Sequence, residues 1–156
     1  MTEPRWLSDR EQRMWRAFQD MRRRLEAVTG RQLDEVGLSA ADYSLMVPLS
    51  EAPGRRLRAR ELRRGIGWDR SRLAHQMRRM EQRGLIVRED CPGDARGTVI
   101  KLTDEGMRAI VAAAPGHAET VRRHFVDLLT DEEIDTLTTI SERVLRHIAA
   151  DAPPAD

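Results

Sequence analysis

Apolar residues recur along most of this chain at the three- and four-residue spacing of a helix, with polar residues between them. Ser8 and Glu11 form a capping-box signature ahead of the first such stretch, and Gly30 follows it. The stretch predicts a long first helix whose apolar stripe consists of Met14, Phe18, Met21, Leu25 and Val28. Trp15 lies beside this stripe. Because the stripe is so close to the chain terminus, we expect one small domain to leave part of it uncovered.

A second helix is predicted after Ser39, which again has an acidic residue, Asp42, three positions later. Its apolar positions are Tyr43, Leu45, Met46 and Leu49. Pro48 lies inside this pattern, and an interior proline costs about 3 kcal/mol. We therefore expect a distorted last turn before the helix ends at the Pro53–Gly54 turn.

Two shorter helices follow, joined by a glycine-containing turn. The third covers about 59–65, turns Leu62 inward and closes at Gly65-Ile66-Gly67. The fourth covers about 69–83 behind the cap residue Asp69 and carries two separate stripes. The apolar stripe is Leu73, Met77 and Met80, and the polar stripe is Arg72, His75, Gln76 and Arg79. The first stripe is predicted to pack, and the second to be free to contact another molecule.

Residues 85–103 break the helical pattern. Leu85–Asp90 and Thr98–Thr103 are typical of short strands, and the loop between them contains Pro92, Gly93 and Gly97. Such a hairpin is too small to be stable by itself. The segment is therefore predicted to be a β-hairpin supported by the helices around it.

Two long helices end the chain. Thr103 is a suitable cap for one that extends to Leu128, and Pro115–Gly116 should kink it without breaking it because the apolar register continues. Thr130 with Glu133 begins the last helix. Its apolar positions are Ile134, Leu137, Ile140, Val144 and Ile148. The predicted fold class is mainly α with one small β-hairpin, an α+β arrangement.

Charge is distributed unevenly along the chain. The whole sequence has a formal net charge of +1, but residues 55–83 contain eleven arginines against three acids. That segment carries +8, so the remainder sums to −7. A basic charge focused in this way predicts a polyanionic partner.

The third and fourth predicted helices have the arrangement of a helix-turn-helix, in which the second helix presents long hydrogen-bonding side chains. A charged face that only contacts solvent is the alternative interpretation. The near absence of acids favours nucleic acid, as does arginine, whose planar fork pairs with guanine or phosphate. The candidate DNA-contacting residues of the fourth helix are Arg70, Ser71, Arg72, His75, Gln76 and Arg79.

The hairpin adds two further candidates. A hairpin directly after a recognition helix places its loop beside the groove that the helix occupies. Arg96 would then enter the adjacent minor groove, where the potential is most negative. Asp94 would repel phosphate, so we expect it to hold the Arg96 guanidinium or loop amides in position.

These residues resemble the winged helix-turn-helix regulators of the MarR (multiple antibiotic resistance regulator) family. Asp94-Ala95-Arg96 followed by Leu102-Thr103 and Gly106 is similar to the family's wing signature, D-x-R, a strand and L-T-x-x-G. The run from Asp69 to Leu73 and the exit Arg83-Gly84-Leu85 are similar to its recognition helix. The resemblance covers nearly the whole chain.

The resemblance implies a homodimeric, sequence-specific transcription regulator that binds a pseudopalindromic operator in double-stranded DNA. It implies one MarR-like domain over 1–156, with a helical dimerisation region at 1–36 and 104–151. The winged helix-turn-helix lobe would cover 38–103, with its wing at 85–103. A repressor released by a small aromatic or phenolic effector is expected, and Trp15, Tyr43 and Met46 are candidate effector contacts. An architectural DNA-binding protein of low sequence specificity, without a ligand, is the alternative.

Other classes of function have less support in the sequence. Cys91 is the only cysteine, which rules out an intramolecular disulfide, and we expect it to be a bystander. His117, His124 and His147 lack the spacing of a metal site, so no metal or cofactor is expected. No nucleophile motif or carboxylate pair suggests an enzyme. No apolar run approaches the roughly 20 residues of a membrane span, and a cytoplasmic location is expected.

Overall fold

A computed structural model gives the fold of the chain. The structure describes residues 3–91 and 94–151, with side chains over 3–90 and 97–151. It divides into two compact units, residues 1–120 and 121–156. Within the described ranges, no helix combines the length and the apolar composition that a membrane span needs.

The first unit begins with α1 (Asp9–Glu35) and α2 (Ala40–Glu51). Both predicted capping boxes are confirmed, since the Ser8 and Ser39 hydroxyls each accept the backbone N–H three residues later. α1 continues past Gly30, where the sequence had predicted its end. The reason is Leu33, a residue of the last turns that is buried in the core.

α2 remains helical through Pro48, so the prediction of a distorted last turn is wrong. The Ala52 N–H donates to the Pro48 carbonyl over 3.1 Å, which is the bond that a regular last turn requires. A proline removes its own donor but keeps its acceptor. Near the end of a helix, the proline carbonyl can therefore still accept the hydrogen bond that closes the last turn.

α3 (Ala59–Ile66) and α4 (Arg70–Gln82) form the predicted helix-turn-helix pair. Gly67 ends α3 in the left-handed region with φ of 68°, a conformation that glycine adopts without steric cost. The Asp69 carboxylate accepts the Arg72 N–H over 2.8 Å and caps α4. The turn between the two helices is therefore fixed by one glycine and one cap residue.

The sheet has three antiparallel strands, one more than the sequence predicted. They are β1 (Arg56–Arg58), β2 (Ile86–Cys91) and β3 (Asp94–Leu102), in the order β1-β3-β2. β1 was missed because a three-residue Arg-Leu-Arg strand is too short to show a period-two pattern. It is held by pairing with β3, where Leu57 lies opposite Ile100.

β3 also begins earlier than predicted, at Asp94 instead of Thr98. The backbone of Asp94 and Arg96 thus belongs to a strand, and their placement in the loop is corrected. A register shift between Asp90 and Cys91 lets the pairing of β2 with β3 continue toward the tip. The composition of this stretch indicated a loop, but cross-strand hydrogen bonding decided its conformation.

The core of the first unit collects apolar residues from all of its major elements. The predicted inward positions Leu62, Leu73, Met77 and Met80 are confirmed as buried. The buried hydrophobic residues are Leu33, Leu38, Leu45, Met46, Leu49, Leu62, Leu73, Met77, Met80, Leu85, Ile86, Ile100, Leu102, Ile110 and Ala113. The recognition helix is therefore packed along one side and exposed along the other.

α5 (Asp104–His124) leaves the sheet through a tight junction. The Thr103 hydroxyl donates to the Gly84 carbonyl over 2.6 Å and accepts the Gly106 N–H over 2.9 Å. A Cβ on Gly106 would lie 2.6 Å from Leu102 Cδ1 and closer still to the Leu85 carbonyl oxygen. The Leu-Thr-x-x-Gly sequence thus locks the start of α5 against both arms of the hairpin.

α5 runs through Pro115 without a break. The second unit holds its last residues, a short 3-10 turn (Val126–Leu128) and α6 (Asp131–Asp151). The predicted capping box is confirmed, because the Glu133 carboxylate accepts the Thr130 N–H over 2.8 Å. No described residue of α6 is buried within the single chain.

We predict that Gly106→Ala destabilises the protein by about 1–3 kcal/mol, because the new methyl group overpacks a rigid backbone junction. Gly65→Ala is the matched control, since Gly65 has open space around it inside α3. The control should be neutral or stabilise by up to about 1 kcal/mol. Urea unfolding of both variants measures the difference, and equal stabilities would contradict the junction.

Candidate nucleic-acid interface

The exposed face of α4 is the most basic surface in the helix-turn-helix. Five of the six predicted DNA-contacting residues of this helix are exposed, namely Arg70, Ser71, Arg72, His75 and Arg79. Arg78 is exposed as well and was missed by the sequence analysis. Its position three residues after His75 was the signal that could have found it.

Gln76 does not belong to this face, and its assignment there is wrong. Its side chain is only 7% exposed, and its Nε2 donates to Asp42 Oδ1 over 2.6 Å. The helical spacing left Gln76 at the boundary between the two stripes, where periodicity does not decide the orientation. A buried carboxylate that needed a donor decided it.

Asp42 is 1% exposed and its two carboxylate oxygens together accept three hydrogen bonds. Besides Gln76, the donors are the Ser39 N–H at 2.9 Å and the Arg83 guanidinium at 2.6 Å. Arg83 also donates to the Gly37 carbonyl. We call Asp42, Gln76 and Arg83 the carboxylate clamp, because it ties the start of α2 to the middle and the end of the recognition helix.

The acidic residues of the basic segment are already engaged in structural contacts. The Glu61 carboxylate accepts the Arg58 N–H, Asp69 caps α4, and Glu81 pairs with Arg88 over 2.8 Å. In the part of the chain that the structure describes, the exposed arginines of α3 and α4 form no ion pair. These are Arg60, Arg64, Arg70, Arg72, Arg78 and Arg79.

One arginine of α4 has a defined position. The Arg72 guanidinium carbon lies 4.1 Å from the ring centroid of Trp68, which is half-buried against the core. This is the geometry of a cation–π contact. The first turn of the recognition helix thus presents an arginine whose guanidinium contacts the face of the Trp68 ring.

The wing is tied to the rest of the lobe by salt bridges. Arg56 of β1 reaches Glu89 of β2 over 3.0 Å, and Arg88 of β2 reaches Glu81 of α4. The side chains of Asp94 and Arg96 lie outside the described residues. Their predicted roles in the minor groove remain predictions.

The three candidate effector residues have separate surroundings. Met46 is fully buried in the core, Trp15 stacks on Phe18 at a centroid distance of 5.8 Å, and the Tyr43 ring lies 4.5 Å from that of His117. Burial raises the pKa of Tyr43 and lowers the pKa of His117.

Gln32 and His117 each carry a buried polar atom with no partner among the described residues. These atoms are Oε1 of Gln32 on α1 and Nδ1 of His117 on α5. A Cβ at Gly116 would lie 2.6 Å from Gln32 Nε2, so the glycine lets α1 and α5 approach closely here. The sequence pattern did not single out Gln32, and His117 was considered there only as a metal ligand.

Comparisons with known proteins identify this architecture. The family model described as "MarR family" matches residues 36–97, which contain α2, the helix-turn-helix and most of the hairpin. Sco3205, a MarR family transcriptional regulator from Streptomyces coelicolor solved in complex with DNA, is 40% identical in sequence. The match covers 98% of this chain and 97% of that one, with a TM-score of 0.93. The chain belongs to the MarR family.

Two further relatives of this MarR-family chain agree with the assignment. AbsC, a MarR family regulator from the same organism, is 37% identical with a TM-score of 0.90, over 95% of this chain and all of that one. The transcriptional regulator HosA of Escherichia coli O111:H- is 28% identical over 83% of this chain and 95% of its own. The protein is therefore a DNA-binding transcriptional regulator and not an enzyme.

We predict that Arg83→Ala destabilises the lobe by about 2–3 kcal/mol, because the Asp42 carboxylate stays buried after losing its charged partner. The figure is below that of a fully buried pair because the Arg83 side chain is 43% exposed. Arg88→Ala, which breaks an exposed pair with Glu81, should cost no more than about 1 kcal/mol. Chemical denaturation of the two variants tests this, and a smaller loss for Arg83→Ala would contradict the clamp.

Proposed function

We propose that this MarR-family protein is a homodimer that recognises a pseudopalindromic operator by sequence, and that it represses transcription until a small aromatic or phenolic effector releases it. The observation that carries the proposal is the exposed face of α4. Its arginines form no ion pair with the residues that the structure describes, and the opposite face of the helix is packed in the core. A helix of this kind fits the major groove, where its N-terminal residues contact base edges.

The five predicted DNA-contacting residues that are exposed on α4 have chemistry suited to DNA. Arg70, Arg72 and Arg79 can pair in a bidentate manner with guanine O6 and N7 or with phosphate. Ser71 and His75 can hydrogen-bond to bases or phosphate. Gln76 is left out of this set because its amide is held by Asp42.

The wing would supply a second contact. β2 and β3 form a hairpin directly after α4, and two salt bridges attach β2 to β1 and to α4. We propose that Arg96 enters the minor groove beside the major-groove contact and that Asp94 orients it. A narrow, A·T-rich flank would favour this arginine most.

Dimerisation is proposed from apolar surface that one chain leaves open. On α1, Met14 is 60% exposed, Trp15 49% and Phe18 45%. On α6, the large exposed apolar residues are Ile140, Val144, Leu145 and Ile148. Surfaces of this kind mark interaction sites. A second copy of the chain would cover them and would place two recognition helices on the two half-sites of an operator.

The effector is proposed to bind beside Tyr43. Gln32 Oε1 is a buried acceptor without a described partner, and a phenolic hydroxyl supplies a donor for it while the phenol ring adds to the Tyr43–His117 pair. Tyr43 follows Asp42 directly in α2, so a shift of α2 would reach the carboxylate clamp. Met46 is fully buried in the core, and its contact with an effector stays a prediction.

We predict that the full chain selects a pseudopalindromic sequence from random DNA and that two chains bind each selected site. On the selected DNA, Arg70→Ala, Arg72→Ala and Arg79→Ala should each weaken binding by about 1–3 kcal/mol where the residue reads a base, with a smaller loss on random DNA. Where the residue contacts phosphate instead, its replacement should weaken binding to both DNAs equally. The salt dependence of binding should then be shallower by about one ion. Fluorescence anisotropy across a salt series and sedimentation provide the measurements.

Arg108→Ala is the matched control, because it removes an exposed positive charge of α5 outside the helix-turn-helix. It should leave both affinities near those of the wild type. Equal affinity for selected and random DNA would instead establish an architectural protein of low specificity. A monomeric full chain in sedimentation would refute the dimer.

We predict that His117→Gln makes stability less dependent on pH. Because burial lowers the pKa of folded His117 below 6.5, the unfolded chain binds the proton more readily. The contribution of His117 is therefore fully present above about pH 6.5 and is lost as pH falls. Denaturation of both proteins across pH should show their stabilities converging or crossing on acidification. Parallel pH profiles would contradict the buried neutral imidazole.

A further inference from the structure

The contact between Trp68 and Arg72 lies at the start of the recognition helix. The Arg72 guanidinium carbon lies 4.1 Å from the Trp68 ring centroid, on the exposed side of the helix-turn-helix. Within the described residues, Arg72 is the one arginine that lies over an aromatic ring. We propose that Trp68 is a specificity-determining positioning residue, which holds Arg72 ready for base recognition. This inference rests on the proposed function of α4.

The position of Trp68 makes it a rigid support. It directly precedes the cap residue Asp69, which places it at the position where a hydrophobic residue fixes the entry of the chain into a helix. Its side chain packs against the core of the lobe. Tryptophan also has the aromatic face that attracts a cation most strongly.

Arg72 is fixed at its backbone as well. Its N–H is the group that the Asp69 carboxylate caps, so the residue lies in the first turn of α4. Residues of that turn contact base edges when a recognition helix enters the major groove. Support at both the backbone and the guanidinium leaves the side chain few alternative positions.

This arrangement favours specificity over general attraction. A free arginine loses rotamer freedom when it binds, whereas a side chain already held in one position loses less. A held guanidinium also presents its donors in a fixed direction, which matters for bidentate contact with a base and little for a diffuse phosphate charge. Arg70 and Arg79 lack such support among the described contacts and serve as comparisons.

The experiment uses the full chain and DNA selected by it from a random pool. Trp68→Leu keeps an apolar side chain but removes the aromatic face, and Trp68→Phe keeps a smaller face. We expect Trp68→Leu to bind the selected DNA about two- to five-fold more weakly, with less change on random DNA. Trp68→Phe should recover part of the loss. In an Arg72→Ala background, Trp68→Leu should have little further effect.

A second measurement needs no DNA. In the free wild-type protein, the NMR signals of the Arg72 side-chain protons should be shifted by the ring current of Trp68, and Trp68→Leu should abolish the shift. Thermal unfolding of each variant reports any loss of fold. If Trp68→Leu does not fold, Trp68→Phe is compared with the wild type in its place.

Several results would overturn the inference. Additive losses from Trp68→Leu and Arg72→Ala would mean that Trp68 acts through the fold alone. Tighter binding by Trp68→Leu would mean that the ring holds the arginine away from DNA. A silent Arg72→Ala beside harmful Arg70→Ala and Arg79→Ala would reject this inference and leave the proposed function standing. Absence of any selected sequence would reject the proposed function itself.

Discussion

The buried carboxylate of Asp42 is the constraint on which the orientation of the recognition helix depends. A carboxylate that is 1% exposed must find donors, and the lobe supplies them from α2 itself, from the middle of α4 and from the end of α4. These bonds turn Gln76 inward. With Gln76 inside, the rotation of α4 about its axis leaves Arg72, His75 and Arg79 facing outward.

The acids of the basic segment have a second effect, on the charge of the surface. The three acids of residues 55–83 each satisfy a local need: one caps α3, one caps α4 and one anchors a wing strand. Because these carboxylates are engaged elsewhere, the arginines of α3 and α4 keep their charge for a partner. Much of the net charge of +8 in this segment is thus carried by exposed arginines of α3 and α4.

Sequence patterns predicted local structure correctly where the interacting residues are neighbours in the chain. The capping residues Ser8, Ser39, Asp69 and Thr130 were found because a cap acts on an amide only two or three positions away. The Leu-Thr-x-x-Gly motif was also found, although only the fold shows that Gly106 makes room for the Leu85 carbonyl. The family resemblance followed from such local patterns.

The sequence by itself determined the order of the helices, the helix-turn-helix, the existence of the hairpin and the concentration of basic charge. Tertiary structure alone decided the inward turn of Gln76, the third strand Arg56–Arg58 and the start of β3 at Asp94. Periodicity fixes which residues share a face. It does not say which boundary residue will bond to a distant carboxylate or strand, because that choice depends on groups brought together only by folding.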